Sequence, residues 1–189
     1  MYQHIKRLID IVLSLGAIVV LSPVLLLLAV LIKLDSKGPV LFKQKRVGKD
    51  KTHFEILKFR TMYADVPKDV PTHLLADPAS KITKIGRFLR KSSLDELPQI
   101  FNILKGEMSI IGPRPALWNQ FDLIEERDKY GANNVRPGLT GLAQISGRDE
   151  LEIPVKAKLD GEYVEKIREV NQLEDADKIY IGQRLIMPQ

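Results

Sequence analysis

The chain has 189 residues, 44% of them hydrophobic and 28% charged, with a formal net charge of +5 and no cysteine. That length suits one ordinary domain, and the missing cysteines exclude disulfides and thiolate metal sites. The positive balance suits anionic lipid, phosphorylated ligands or nucleic acid without choosing among them.

The apolar residues are unevenly spread. From Ile11 to Ile32 there is no charged residue, and Asp10 and Lys33 bound the run. As a helix rising about 1.5 Å per residue, it could just cross a hydrocarbon core of roughly 30 Å. Ser22-Pro23 sits in its middle, where proline removes a backbone hydrogen bond. Lys6 and Arg7 precede it, and Lys33, Lys37, Lys43, Lys45 and Arg46 follow. Basic residues pull both ends toward the cytoplasm, which a bent helix entering and leaving by one face satisfies. A straight span is the rival, because membrane helices tolerate proline. The length, the central proline and the lack of an A-x-A site argue against a secretion signal.

After Gly38-Pro39, one strand begins at Val40-Leu41-Phe42 and another runs from His53 to Phe59, with Gly48–Lys51 as the turn of a β-hairpin. Alternation puts Phe54, Ile56, Lys58 and Arg60 on one side. The two cations there could hold an anion, but for the pair alone a solvated strand end is the safer reading. Tyr63 to Pro78 holds three prolines and reads as a long loop, either a lid or plain surface. A helix is expected over Ile82–Lys91, with Arg87 and Arg90 on one side. A short apolar helix follows over Leu97–Lys105, stopped by Gly106. Ile110–Pro115 reads as a rigid turn presenting Arg114. Pro115 is expected to open a helix reaching about Tyr130, with Trp118, Phe121 and Ile124 as a core-facing stripe. Arg136-Pro137-Gly138 through Gly147-Arg148 is a glycine-rich loop and strand region with an arginine at each end.

The candidate chemistry centres on Ser92-Ser93-Leu94-Asp95-Glu96-Leu97-Pro98-Gln99. Ser93-x-x-Glu96 fits a capping box, and acids suit a first helical turn; Pro98 would delete a hydrogen bond just after that turn, which weakens this reading. Lys58, Arg60, Arg87, Arg90, Arg114, Arg136 and Arg148 surround the pair in sequence with groups that grip phosphate. The sequence holds no Walker loop and no Gly-x-Gly-x-x-Gly, and His4, His53 and His73 have no zinc spacing. A carboxylate pair with arginines points to phosphoryl chemistry with magnesium. Few aromatics interleave with the basic residues, which disfavours nucleic acid as a partner.

These stretches together resemble the bacterial sugar transferases, the monotopic polyprenyl-phosphate phosphoglycosyl transferases. The resemblance rests on Lys6-Arg7 with Asp10, Ser22-Pro23, Lys58-Phe59-Arg60-Thr61-Met62, Ser93 through Gln99, Gly112-Pro113-Arg114-Pro115, and Arg136-Pro137-Gly138 through Gly147-Arg148. It implies an α+β fold in which an N-terminal re-entrant membrane helix, bent at Ser22 and Pro23, carries a small, mainly helical catalytic body containing a β-hairpin. It implies a bacterial cytoplasmic (inner) membrane location, with the body on the cytoplasmic face. Asp95 would attack the β-phosphate of a UDP-sugar, release UMP and pass the sugar phosphate to undecaprenyl phosphate. Glu96 would bind Mg²⁺, while Arg90, Arg114 and Arg148, with Lys58 and Arg136, would hold phosphates.

The expected division is residues 1–35 membrane helix, 36–165 catalytic domain and 166–189 an atypical tail. That tail departs from the family and resembles the second half of a LysM glycan-binding module. It supports a different reading, a non-catalytic membrane scaffold or glycan-binding protein that kept a transferase-like body. A homo-oligomer is compatible with the sequence, and the identity of the sugar is not readable from it.

Overall fold

The computed structural model describes residues 2–66, 77, 79–147 and 150–171. Most of the loop expected over Tyr63–Pro78, Arg148, and the tail from residue 172 therefore lie outside the described residues. The fold of the described residues is α+β, with a long apolar helix at the N-terminus and two small two-stranded sheets, one of them a hairpin. The chain divides into two compact units. One contains the first 13 residues, Arg46–Phe54 and the chain from Ile103; the other contains Ser14–Lys45 and Glu55–Asn102.

Helix α1 (Tyr2–Asp35) runs through Pro23 as a helix of 34 residues. Pro23 has no N–H to give to the Val19 carbonyl, and the Ser22 hydroxyl donates to that carbonyl instead, at 2.8 Å. A serine beside the proline thus satisfies a backbone group that hydrocarbon could not. A stretch of α1 from His4 to Asp35 is long and apolar enough to cross a membrane, and it is the only such helix among the described residues.

Strands β1 (Leu41–Val47) and β2 (His53–Phe59) pair as the expected hairpin, through a 3-10 turn at Lys49–Lys51; Leu41–Lys45 and Glu55–Phe59 belong to the second unit and Arg46–Phe54 to the first. Helix α2 (Lys84–Ser92) follows, then a 3-10 turn at Leu94–Glu96 and helix α3 (Gln99–Lys105). The core here joins Leu28 and Ile32 of α1 to Phe59 and Leu89, with Leu25, Leu31, Ile85, Leu94 and Leu97 packed around them. The opposite side of the same stretch of α1 leaves Leu26, Leu27, Val30 and Leu34 exposed. Asn102, fully buried on α3, accepts from Leu57 N at 2.9 Å and donates to Glu55 O at 2.8 Å, so its amide substitutes for a strand neighbour of β2.

In the first unit, β3 (Ser109–Ile111) and β4 (Gly138–Thr140) pair in parallel, Ser109 opposite Gly138. Helices α4 (Phe121–Asp128), α5 (Leu142–Ile145) and α6 (Ile153–Asn171) complete it. Helix α3 stops at Gly106, which takes φ +90 as expected of a helix breaker. Three cations gather around that end. The Arg7 guanidinium donates to the carbonyls of Ile103 and Leu104, Arg136 Nε donates to Gly106 O at 3.0 Å, and Lys6 Nζ donates to Ser109 Oγ. Asp10 Oδ1 accepts from Ser109 Oγ and Ile110 N, both at 3.1 Å. Positive groups at the carbonyl end of a helix are where the peptide dipoles favour them.

The helix expected from Pro115 begins only at Phe121. Residues before it are claimed by β1: Arg46 bridges to Leu117, Val47 N bonds Ala116 O at 3.0 Å, and Arg46 Nη1 bonds Pro115 O at 3.1 Å. Pairing with a strand overrides the local preference of proline for a helix start. The stripe shifts accordingly. Leu123 is buried with Val47, Ala116 and Ala157, Ile124 packs beside them, and Phe121 is exposed.

Arg127 and Asp160 form a buried pair, with Nε at 2.9 Å and Nη2 at 2.5 Å from the same Oδ2. Burial pushes the Asp160 carboxyl up from its ordinary pKa, and the Arg127 charge opposes this. Removing one member strands a buried charge. Asp160→Ala is therefore expected to lower stability in urea unfolding by about 3–5 kcal/mol. A double Arg127→Met, Asp160→Leu variant should recover most of that loss.

Candidate active site

The site grows from the end of β2. Helix α2 begins at Thr83, whose hydroxyl accepts from Gly86 N at 2.9 Å and whose N–H donates to Thr61 O at 3.0 Å. Gly86 lies so close to the Thr61 backbone that a Cβ there would sit 2.0 Å from Thr61 O. Only glycine allows this approach. Asp35 Oδ2 accepts from Ile85 N at 3.1 Å, placing an acid on the first turn of α2. One turn further along, Arg90 Nε donates to Thr61 Oγ1 at 2.9 Å.

Helix α2 ends at Ser93, which adopts a left-handed conformation with φ +57. For a side chain other than glycine that costs roughly 1–2 kcal/mol. The reversal leads straight into the turn Leu94–Glu96, with Glu96 N bonded to Ser93 O at 3.2 Å. The capping box is not formed: Ser93 makes no side-chain cap bond, and Glu96 Oε1 instead accepts from Lys58 Nζ at 2.7 Å. Arginine and lysine thus flank the acidic turn from α2 and β2.

Asp95 is half-buried. Burial raises its carboxyl above the ordinary range; Lys58 pulls it down, Glu96 pushes it up and Arg90 pulls it down. The Arg90 guanidinium is lowered by burial, and the Asp95 charge opposes that. The result is a poorly hydrated carboxylate held between two cations and one like charge. Its chemistry suits a nucleophile more than a surface acid.

The structure brings four of the expected site residues together in this unit: Lys58, Arg90, Asp95 and Glu96. Arg114 and Arg136 belong to the first unit, Arg114 half-buried after β3 and Arg136 bonded to Gly106 O. Arg60 does not grip an anion. It is buried at 5% exposure, and its guanidinium donates to Pro39 O, Ser36 O, Ser36 Oγ and Met62 O, which closes the end of α1. Arg87 is exposed on α2. Thr61, the anchor of Arg90, went unread in the sequence. Asn102 left a usable signal, a polar residue inside an otherwise apolar helix, which must find partners when buried. Among the described residues no three histidine, aspartate or glutamate side chains gather as a metal cluster. The hard oxygen donors of the site are the adjacent carboxylates.

Residues 1–176 match the family model described as bacterial sugar transferase. The chain is 41% identical over 174 residues to an uncharacterized sugar transferase of Haemophilus influenzae, covering 85% of this chain and 36% of that protein. It is 42% identical over 170 residues to an undecaprenyl-phosphate glucose phosphotransferase of Komagataeibacter xylinus, covering 84% and 32%. It is 45% identical over 162 residues to an exopolysaccharide production protein of Rhizobium leguminosarum bv. phaseoli, covering 82% and 80%. The chain thus spans about a third of the length of the first two relatives and most of the third.

The electrostatics of the turn can be checked on metal-free protein. The Asp95 carboxyl is expected to titrate above the ordinary carboxylate range. Lys58→Met should move it higher and Glu96→Gln lower, read from ¹³C carboxyl shifts across a pH series. The folded state holds this proton more tightly than the unfolded chain. Its contribution to stability is therefore full at low pH and lost as pH rises through the folded pKa. An Asp95 that titrates at or below the ordinary value contradicts the assignment.

Proposed function

The chain belongs to the bacterial sugar transferase family, and from that premise we propose that it moves a sugar 1-phosphate from a UDP-sugar to undecaprenyl phosphate. The name of the Komagataeibacter xylinus relative supports the acceptor and the type of reaction. The observation that carries the reading is the half-buried Asp95 set beside Arg90, Lys58 and Glu96. A carboxylate that is partly stripped of water and flanked by cations is equipped to attack phosphorus.

In the first step an Asp95 oxygen bonds to the β-phosphorus of the donor. The bridging P–O bond breaks, and its electron pair leaves with UMP. In the second, an oxygen of undecaprenyl phosphate bonds to that phosphorus, and the electron pair of the P–O(Asp95) bond returns to the carboxylate. One difficult transfer becomes two easier ones. Arg90, held by Thr61, and Lys58, held by Glu96, are placed to neutralise phosphate oxygens. The family resemblance adds Arg114, Arg136 and Arg148 as further phosphate ligands.

Adjacent carboxylates on one turn are the hard donors Mg²⁺ takes from a protein when it shares phosphate oxygens, so the residues fit. Glu96, with Asp95 beside it, would hold the ion. Its contribution when bound is to neutralise charge on the transferring phosphate.

The membrane reading is supported by α1. Lys6, Arg7 and Asp10 at its start are bound to the segment Ile103–Ile110. Leu28 and Ile32 near its end are packed on Phe59 and Leu89. Between Phe59 and Ile103 no described helix is long and apolar enough to cross a membrane, and basic residues flank both ends of the apolar run of α1. We therefore read α1 as re-entrant, with the basic flanks on the cytoplasmic face.

Purified protein incubated with a UDP-sugar and no lipid is expected to gain the mass of one sugar phosphate on the peptide Ser93–Gln99. Asp95→Asn should abolish both that adduct and UMP release while remaining folded, and excess chelator should stop turnover. A folded Asp95→Asn protein releasing UMP at the parent rate defeats the mechanism. For topology, a single cysteine at Tyr2, in a chain that has none, should resist an impermeant thiol reagent in intact cells. Labelling there shows a straight span.

A further inference from the structure

Two roles assigned to the acidic turn compete for one atom. Lys58 Nζ donates to Glu96 Oε1 at 2.7 Å, and the two side chains are only 17% and 20% exposed. Burial raises the Asp95 carboxyl, and of the charges that act on it Lys58 weighs most. A single ammonium thus serves both carboxylates, one by a direct bond and the other by its field. These are the same two groups that Mg²⁺ would use in the proposed reaction.

An ammonium and a divalent ion do not share so small and poorly hydrated a place, because like charges a few ångströms apart repel strongly there. The two cations beside the turn differ in how they are held. Arg90 is fixed through Nε to Thr61 Oγ1 at 2.9 Å, and its guanidinium is planar and rigid. Lys58 ends a flexible four-carbon stem in a point charge that can turn from one oxygen to another. It rises from β2, on an element separate from the turn it neutralises. Of the pair, Lys58 is the cation able to give up its place.

We infer that Lys58 and a divalent cation are alternative partners of Glu96: the ammonium holds the acidic turn until the donor arrives, then leaves Oε1 for a phosphate oxygen of the nucleotide sugar. The inference rests on the proposed transfer reaction and its magnesium. It gives Lys58 two successive bonds, first to a carboxylate and then to the diphosphate. An ion binding alone must displace Lys58 with no new partner on offer, so it binds weakly. With the donor present the diphosphate supplies that partner. Ion and donor therefore strengthen each other's binding, and the coupling runs equally in both directions. The turn stays neutralised at each stage, so Asp95 and Glu96 never face each other uncompensated.

The test is Lys58→Met, which keeps the stem and removes the charge, with Mn²⁺ alone as the probe and loss of its free-ion EPR signal as the readout. The variant should bind Mn²⁺ roughly tenfold to a hundredfold more tightly than the parent, because a neighbouring positive charge has gone. Its UMP release should fall, since the phosphate has lost a partner; a pair that only stabilises the fold does not move the two readouts in opposite directions. Adding Glu96→Gln to Lys58→Met should cancel the gain in affinity. Mn²⁺ binding at the parent affinity in Lys58→Met overturns the inference, as does a gain that survives Glu96→Gln. A second measurement covers a variant that does not fold. In the parent labelled with ¹⁵N-lysine, the Lys58 ammonium resonance should move when Mg²⁺ and UDP are added together; an unmoved resonance is an equal refutation. Chelation separates the two levels. If turnover survives excess chelator, the magnesium reading itself fails; if chelator stops turnover and Lys58→Met binds Mn²⁺ no better than the parent, only the exchange at Glu96 falls.

Discussion

The contact of Gly86 with the Thr61 backbone holds α2, and with it Arg90, against the segment leaving β2. With no side chain between them, α2 lies directly on the segment leaving β2, and Thr83 N locks it there through Thr61 O. The same threonine then fixes Arg90 through its hydroxyl. Lys58 lies three residues before Thr61, so one short stretch of chain supplies a cation directly and orients another. Leu89, on the inner side of α2, seals the arrangement by joining Leu28, Ile32 and Phe59. A methyl group at position 86 would have to displace backbone, and the spacing of Arg90 from the acidic turn would change with it.

The basic character of the chain looks at first like one large phosphate grip. The structure divides it. Arg60 and Arg7 are bonded to backbone carbonyls, and Arg136 carries one such bond; each serves a helix end. Lys58 and Arg90 face carboxylates instead. The distinction is one of partners, because a guanidinium suits a ring of carbonyl oxygens as well as it suits phosphate. Charge counting therefore overstates the ligand-binding set. Lys6 and Arg7, at the start of α1, are likewise engaged with protein, bonded to Ser109 and to the Ile103 and Leu104 carbonyls.

This division sets how much was legible in the sequence. The hairpin could be read because alternation and a glycine-led turn are local signals, and the stop at Gly106 because a left-handed residue after a helix calls for glycine. The acidic turn could be located but not interpreted. Ser93-x-x-Glu96 has the letters of a capping box, and only the pairing of Glu96 with Lys58, 38 residues away along the chain, shows that the side chain goes elsewhere. The helix from Pro115 failed for the same kind of reason: Ala116 and Leu117 are held by the end of β1, a long-range contact with no local trace. Arg60 was misread because alternation puts it beside Lys58, while burial, which alternation does not report, hands it to Ser36 and Pro39.

The acidic motif is also where the chain breaks its own rules. Ser93 sits in a left-handed conformation, Asp95 is a carboxylate in surroundings that disfavour its charge, and Gln99 is buried with an unpaired amide. Each feature is unfavourable alone, and all three fall within seven consecutive residues. A segment selected only for stability would relax at least one of them, for instance with glycine at 93 or an apolar side chain at 99. Their coincidence supports the proposed reading of this turn as a reactive site, since strained and poorly hydrated groups cluster at such sites. The surrounding structure must hold the turn against that cost. Asn102 does so from within the same helix, by fastening α3 to β2 at both ends of its amide. The polar residue that is fully paired thus secures the helix that carries the one that is not.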